Sequence, residues 1–180
     1  MRAAVEVMGE DGYEGASMRD MAARAGVSVA ALYYHFPSKL DLLREFLDEA
    51  YDVTLARIDR RLSRLDPSST PGDRLDSIVD TLIWSHLHDS FAQLASNVAF
   101  REYTRLNPPE RAAIEVKRKS LLDLLESVCA AMGALEPREA GRAIMTLSTS
   151  LVEPLSEIGR PLPDVISLYQ GFARSLATES

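Results

Sequence analysis

Between Ser17 and Lys39 the segment SMRDMAARAGVSVAALYYHFPSK places side chains suited to non-covalent recognition rather than to bond making. Val29, Ala30, Ala31 and Tyr34 are expected to face base edges from one short helix, where small apolar groups and a phenol can meet them in a groove. That helix holds no Arg, Asn or Gln, the side chains that pair two hydrogen bonds with one base. Reading would then use thymine methyl contacts, hydrogen bonds of the Tyr34 hydroxyl, water and duplex shape. Ser17 and Ser28 are helix caps first, and the amides of the helix starts they cap can also meet a phosphate. Covalent chemistry has no comparable foothold, because the chain shows no glycine-rich phosphate loop, nucleophile elbow, zinc-protease helix motif or Cys–His cluster. No enzyme activity, cofactor or metal is expected. His86 and His88 stand two residues apart, on different faces of a helix, which does not make a metal pair.

The elements that must position these side chains are punctuated clearly. Ser17 caps a helix, Asp20 lies three residues on, and Met18, Met21, Ala22 and Ala25 form an apolar stripe at helical spacing. Gly26 marks a sharp turn, Ser28 caps a second helix over Val29–Phe36, and Pro37 helps end it. Two short helices joined by a tight glycine-containing turn are the geometry that sets one helix into a DNA major groove. Met18, Met21, Leu32 and Phe36 are expected in the core. Ahead of this unit, residues 1–10 predict a first helix ended by Gly9 and Gly12, with Ala4, Val5 and Met8 inward. Behind it, Ser38 and Asp41 open a long helix from Lys39 to about Ser63. Thr70-Pro71-Gly72-Asp73 and Asn107-Pro108-Pro109-Glu110 are cap–proline–acid starts for helices reaching His86 and Met132. Further helices are predicted over residues 90–104, 136–158 (bent near Pro154) and 163–177, so the fold class is all-α.

Composition bounds the reading from outside. The 180 residues are 46% hydrophobic and 26% charged, with no apolar run near the ~20 residues of a membrane span and no secretory pattern. The lone Cys129 excludes an internal disulfide and suits a cytoplasmic setting; its apolar neighbours suggest a buried structural thiol. A net charge of −7 is unusual for a nucleic-acid binder, and residues 1–46 hold five basic groups against seven acidic ones. Helix N-termini and backbone amides also grip phosphates, so the balance predicts modest affinity for random DNA rather than none.

The segment resembles the TetR family of bacterial transcriptional regulators, whose pattern is T-x-R-D-I-A-x-x-A-G-V-S-x-G-T-L-Y-x-H-F-x-S-K-x-x-L-L. Arg19, Asp20, Ala22, Ala25, Gly26, Val27, Ser28, Leu32, Tyr33, His35, Phe36, Ser38, Lys39, Leu42 and Leu43 stand at matching positions. The likeness is tight over the first quarter of the chain and architectural beyond it. Against the family pattern the first helix starts late at Met1, so either a basic minor-groove arm is absent or the sequence begins inside that helix. The resemblance implies a three-helix helix-turn-helix DNA-binding domain over residues 1–46 and a larger helical effector-binding and dimerisation domain over residues 47–180. It implies DNA contact by Ser17, Arg19 and Ser28, and puts Tyr33, His35 and Lys39 nearer phosphates. It also implies a homodimer through the C-terminal helices, where Ala143, Met145, Leu147, Leu151, Val165, Leu168, Phe172 and Leu176 offer apolar positions. The same positions equally suit a same-chain core. For an effector pocket the chain offers Trp84, His88, Phe91, Phe100 and Tyr103, a set whose spacing also fits ordinary packing. The basic residues Arg101, Arg105, Arg111, Lys117, Arg118 and Lys119 either meet an acyl-CoA-like phosphate or form a solvated face. The implied function is a transcriptional repressor that binds a palindromic double-stranded DNA operator as a dimer. It would be released by a small hydrophobic or acyl-CoA-like effector. The acidic balance leaves open a helical ligand carrier or protein-interaction module that has lost DNA binding.

Overall fold

Four hydroxyl side chains start four helices in the computed structural model, which describes residues 1–103, 107–149 and 162–178. Ser17 Oγ accepts from the Asp20 amide at 3.1 Å, Ser28 Oγ from Ala31 at 3.0 Å and Ser38 Oγ from Asp41 at 3.1 Å. Thr70 and Asp73 form a full capping box, each side chain accepting from the other's amide, at 3.2 and 2.9 Å. Each such cap satisfies a helix-start donor and stabilises by about 1 kcal/mol. The helices are α1 (Arg2–Gly15), α2 (Met18–Ala25), α3 (Val29–His35), α4 (Lys39–Leu62) and α5 (Pro71–His88). They continue with α6 (Ser90–Tyr103), α7 (Pro108–Met132), α8 (Pro137–Thr149) and α9 (Leu162–Thr178). The protein is all-α, with no strand among the described residues.

Some boundaries depart from the expectations above. The first helix does not stop at residue 10: the chain kinks at Gly12 (φ 77°, ψ 166°) and α1 resumes to Gly15. Burial of Tyr13 and Ala16 in the core rewards that continuation. α5 runs two residues beyond His86, to His88, before the Asp89 side chain takes over as the start of α6. Of the helix expected over 136–158, Pro137–Thr149 is seen, and Pro154 and Leu151 lie outside the described residues.

Two hydrophobic cores share one helix. The first gathers Ala4, Val5, Met8, Met21, Ala22, Leu32, Leu42, Leu43, Phe46, Leu47 and Ala50, and recruits Ala95 and Val98 from α6. The second gathers Ile58 of α4 with Leu75, Ile78, Val79 and Ile83 of α5, Leu121 and Leu125 of α7, Ile144 of α8 and Ala173 and Ala177 of α9. Tyr51 touches both. Packing therefore crosses the division expected at residue 46, because α4 contributes to both cores and α6, from beyond that division, packs into the first. Cys129 is buried in the second core, and burial raises its thiol above the ordinary value.

Candidate nucleic-acid interface

The turn between α2 and α3 is closed by backbone chemistry that only a few residues permit. Gly26 sits in the left-handed region (φ 69°, ψ 28°), its amide donating to Ala23 O at 3.2 Å while the Val27 amide donates to Ala22 O at 3.0 Å. Those two bonds make a Schellman ending, which a glycine without Cβ adopts at least cost. The chain then enters α3 through the Ser28 cap. Phe36 ends α3 in extended conformation (φ −128°), one residue sooner than the sequence suggested.

α3 is anchored by one buried side chain, Leu32, and shows the rest of its surface to solvent. Tyr34 is 85% exposed, Val29 39% and Tyr33 48%, with Ala30, Ala31 and His35 open as well. The Tyr34 and His35 rings meet edge to face, 5.2 Å between centroids. Exposed Val27, in the turn, extends this apolar strip. From sequence it stands only as a family match, although an apolar residue beside a turn glycine is a usable signal. A run of apolar groups on a short exposed helix is a contact surface in waiting, since solvated helices normally present polar residues there.

The charged groups divide sharply. Arg19 is exposed and has no carboxylate partner among the described residues. Arg24, by contrast, pairs both guanidinium nitrogens with Glu10 at 2.8 and 2.7 Å. That pair staples α2 to α1, and the Arg24 hydrogen bond holds the Glu10 carboxyl below its ordinary value. Ser17 and Ser28 are exposed at their cap positions. Lys39 departs from the set: its ammonium is engaged by backbone carbonyls at the end of α1 rather than left in the open.

Of the residues named for an effector, Trp84, His88 and Phe91 are described, and Phe91 lies apart from the other two. Trp84 and His88 are exposed on α5, their rings stacked at 5.0 Å, with His88 Nδ1 at 3.1 Å from Trp84 O. Phe91 instead packs on Phe46, centroids 4.7 Å apart, and so serves the first core. Phe100 and Tyr103 lie on α6, their side chains outside the described residues, as are those of Arg101 and Arg105. Lys117 pairs with Asp52 at 2.6 Å, Arg118 with Glu115 at 2.8 Å and Lys119 with Asp123 at 2.6 Å, which is the behaviour of a solvated charged face. A separate cleft of ≈ 500 Å³ opens between α4, α5 and α7, lined by Leu55, Ile58, Asp59, Leu62, Ser63, Arg74 and Leu124. Among the described residues, none of Trp84, His88 and Phe91 lines it.

The C-terminal positions separate equally well. Met145 and Val165 are buried, so the expectation that offered them to a partner chain gives way to same-chain packing. Leu147, Leu168 and Phe172 remain exposed, Phe172 by 53%, with Leu168 and Phe172 one helical turn apart on α9.

One corner ties the two halves together. Arg57 of α4 meets Asp89 at 2.5 Å and Ser85 Oγ at 3.2 Å. Asp89 Oδ1 accepts from the Phe91 amide at 2.9 Å, and Arg2 of α1 donates to Ser90 Oγ at 2.7 Å. Burial works to raise the Asp89 carboxyl, but the Arg57 hydrogen bond, the Phe91 and Ala92 amides and the Arg57 charge outweigh it and hold it below the ordinary value. Further along α6, Leu94 packs so close to Gly9 that a Cβ there would lie 3.2 Å from Leu94 Cδ1.

A helix-turn-helix with an open second helix has the geometry that places a helix in a DNA major groove, and here one continuous helix mounts it on a larger helical body. Residues 1–46 match the profile of "Bacterial regulatory proteins, tetR family". The HTH-type transcriptional regulator CymR of Pseudomonas putida is 34% identical over 90 residues, 50% of this chain and 43% of CymR. The chain thus spans less than half the length of that curated relative. A bacterial regulatory protein in the tetR family from Rhodococcus RHA1 superposes with a TM-score of 0.81 at 23% identity, over 99% of this chain and 95% of that one. AibR, crystallised in complex with isovaleryl coenzyme A and operator DNA, superposes with a TM-score of 0.77 at 20% identity, over 99% and 96%. The first 46 residues are thus similar to tetR-family regulators, and the chain as a whole shares their fold.

Proposed function

We propose that this protein is a cytoplasmic transcriptional repressor that binds a palindromic operator as a homodimer and releases it on binding a small effector. The observation that carries the reading is α3, held by Leu32 alone and exposing Val29, Ala30, Ala31, Tyr33, Tyr34 and His35. In this reading residues 1–46 are the DNA-binding domain and residues 47–180 bind effector and dimerise. Val29, Ala30, Ala31 and Tyr34 meet base edges, while Ser17, Arg19, Ser28, Tyr33 and His35 meet the backbone. The exposed Leu168 and Phe172 of α9, with Leu147 of α8, are the apolar groups available to a second copy. Burying such a face is the ordinary basis of a two-fold dimer.

Geometry supports a route to release. Two reader helices bind together only when about one helical turn of DNA, ~34–36 Å, or a multiple separates them. α4 runs unbroken from the first core to the second, and α6 is fixed to α1 by Arg2–Ser90 and to α4 by Arg57–Asp89. An effector that favours a different packing of the second core therefore shifts α4 and α6, and the reader spacing with them. The acyl-CoA complex of AibR supports a hydrophobic or acyl-CoA-like effector. Trp84, His88, Phe100 and Tyr103 are its proposed contacts.

The test is selection of bound sequences from random double-stranded DNA at physiological salt. Enrichment of an inverted repeat supports the reading. A folded helical dimer that enriches nothing overturns it in favour of a ligand carrier.

A further inference from the structure

α1 ends without a cation of its own. Its last turn carries no basic side chain, while Asp11 and Glu14 lie close by in the same helix. The final carbonyls of a helix carry a partial negative charge and lack intrahelical donors. Lys39, the first residue of α4, supplies both needs from 23 to 26 residues away. Its Nζ donates to the carbonyls of Tyr13, Ala16 (3.1 Å) and Glu14 (3.5 Å), and lies 4.4 Å from the centroid of the Tyr13 ring. An ammonium has three N–H groups, and three carbonyls meet them. Tyr13 and Ala16 are themselves buried, so the ammonium sits at the edge of the first core.

We infer that Lys39 is a positioning residue, which closes the C-terminus of α1 from α4 and so fixes the α1–α2 corner on the helix shared by both cores. Its effect on DNA binding, which rests on the function proposed above, is exerted through the placement of α2 and α3 and not through a phosphate contact. A positioning cation and a phosphate ligand differ in three measurable ways. The first is accessibility in the free protein. The second is what DNA does to that accessibility. The third is salt dependence, because removing one phosphate ligand flattens the slope of log affinity against log salt by about one.

The chain has three lysines, Lys39, Lys117 and Lys119, which makes amine acylation readable at each site. The full-length protein is treated with an acetylating succinimidyl ester, free and bound to a duplex enriched from random DNA, and each lysine's rate is read by peptide mass analysis. Lys39 is expected to react at least about tenfold more slowly than the exposed Lys119 without DNA, since its charge-assisted bonds must break first. DNA is expected to change the Lys39 rate by less than about twofold. Lys39→Met is expected to quicken amide hydrogen exchange over residues 12–17 and to weaken duplex binding with the salt slope unchanged, whereas Arg19→Met flattens the slope. The inference is overturned if free Lys39 reacts as fast as Lys119, if DNA protects it strongly, or if Lys39→Met flattens the slope by about one. If no duplex is enriched, the DNA-reading proposal fails, and acylation and exchange of the free chain still decide whether Lys39 holds α1.

Discussion

Replacing Gly26 by alanine isolates a single physical cost. The residue is left-handed at φ 69°, and a Cβ built there meets no heavy atom within 4 Å. Sterics with neighbours therefore contribute nothing, and only the backbone penalty of an L-residue in that region remains, about 1–2 kcal/mol. Alanine also narrows the unfolded ensemble, which returns ~0.4–1 kcal/mol. The net expectation is a loss of about 1 kcal/mol, less for Gly26→Asn, which tolerates the region, and more for the β-branched Gly26→Val. Against a typical stability of ~5–15 kcal/mol each variant stays folded. Urea unfolding followed by circular dichroism reads the differences from midpoints at a common slope. Because α3 leaves this turn, Gly26→Val should also weaken binding to an enriched duplex more than its stability loss alone accounts for. A neutral or stabilising Gly26→Ala would refute the reasoning. So would a loss above ~3 kcal/mol, which backbone strain alone does not reach.

The remaining predictions address reading, acid stability and assembly. Tyr34→Ala removes a side chain that is 85% exposed, so thermal unfolding should shift by no more than ~0.5 kcal/mol in stability. Anisotropy on an enriched duplex should show about a tenfold or greater loss of affinity, the scale of one base contact; retained affinity would remove Tyr34 from the reading surface. Because Asp89 is held below the ordinary carboxylate value, its contribution is complete above about pH 4 and is lost as pH falls through its lowered value. Asp89→Asn should flatten that part of the stability profile in urea melts between about pH 5 and pH 2, and an unchanged profile would show that the Arg57–Asp89 corner does not carry it. Leu168→Glu with Phe172→Glu places two charges on the exposed face of α9 and should convert a sedimenting dimer to a folded monomer with weakened duplex binding. A dimer that persists would place the interface elsewhere.

What is legible in the sequence is local. Ser17, Ser28, Ser38 and Thr70 announce helix starts because each cap is closed by a partner three residues on, and Gly26 announces a turn because its backbone demand is its own. Extent is not local. α1 outlasts Gly9 and Gly12 because Tyr13 and Ala16 find burial against other helices, a reward that no short window contains. Lys39 matches a family position and reads as a phosphate ligand, while its partners lie 23 to 26 residues earlier. Helical spacing identifies apolar stripes on α8 and α9 without saying which side is covered, and packing assigns Met145 and Val165 inward and Leu168 and Phe172 outward. The aromatic set divides for a related reason: Phe91 packs in the first core while Trp84 and His88 lie on the surface. The cleft between α4, α5 and α7 is walled mostly by leucine and isoleucine, residues too common to stand out.

The most direct test of the central claim, that α3 is presented twice to one duplex, is a hydroxyl-radical footprint of the full-length protein on an enriched DNA sequence. The account predicts two protected patches on one face of the duplex, related by two-fold symmetry and centred about 10 base pairs or a multiple apart, both weakened by Tyr34→Ala at equal protein concentration. A single patch, or a footprint indifferent to Tyr34, would contradict it.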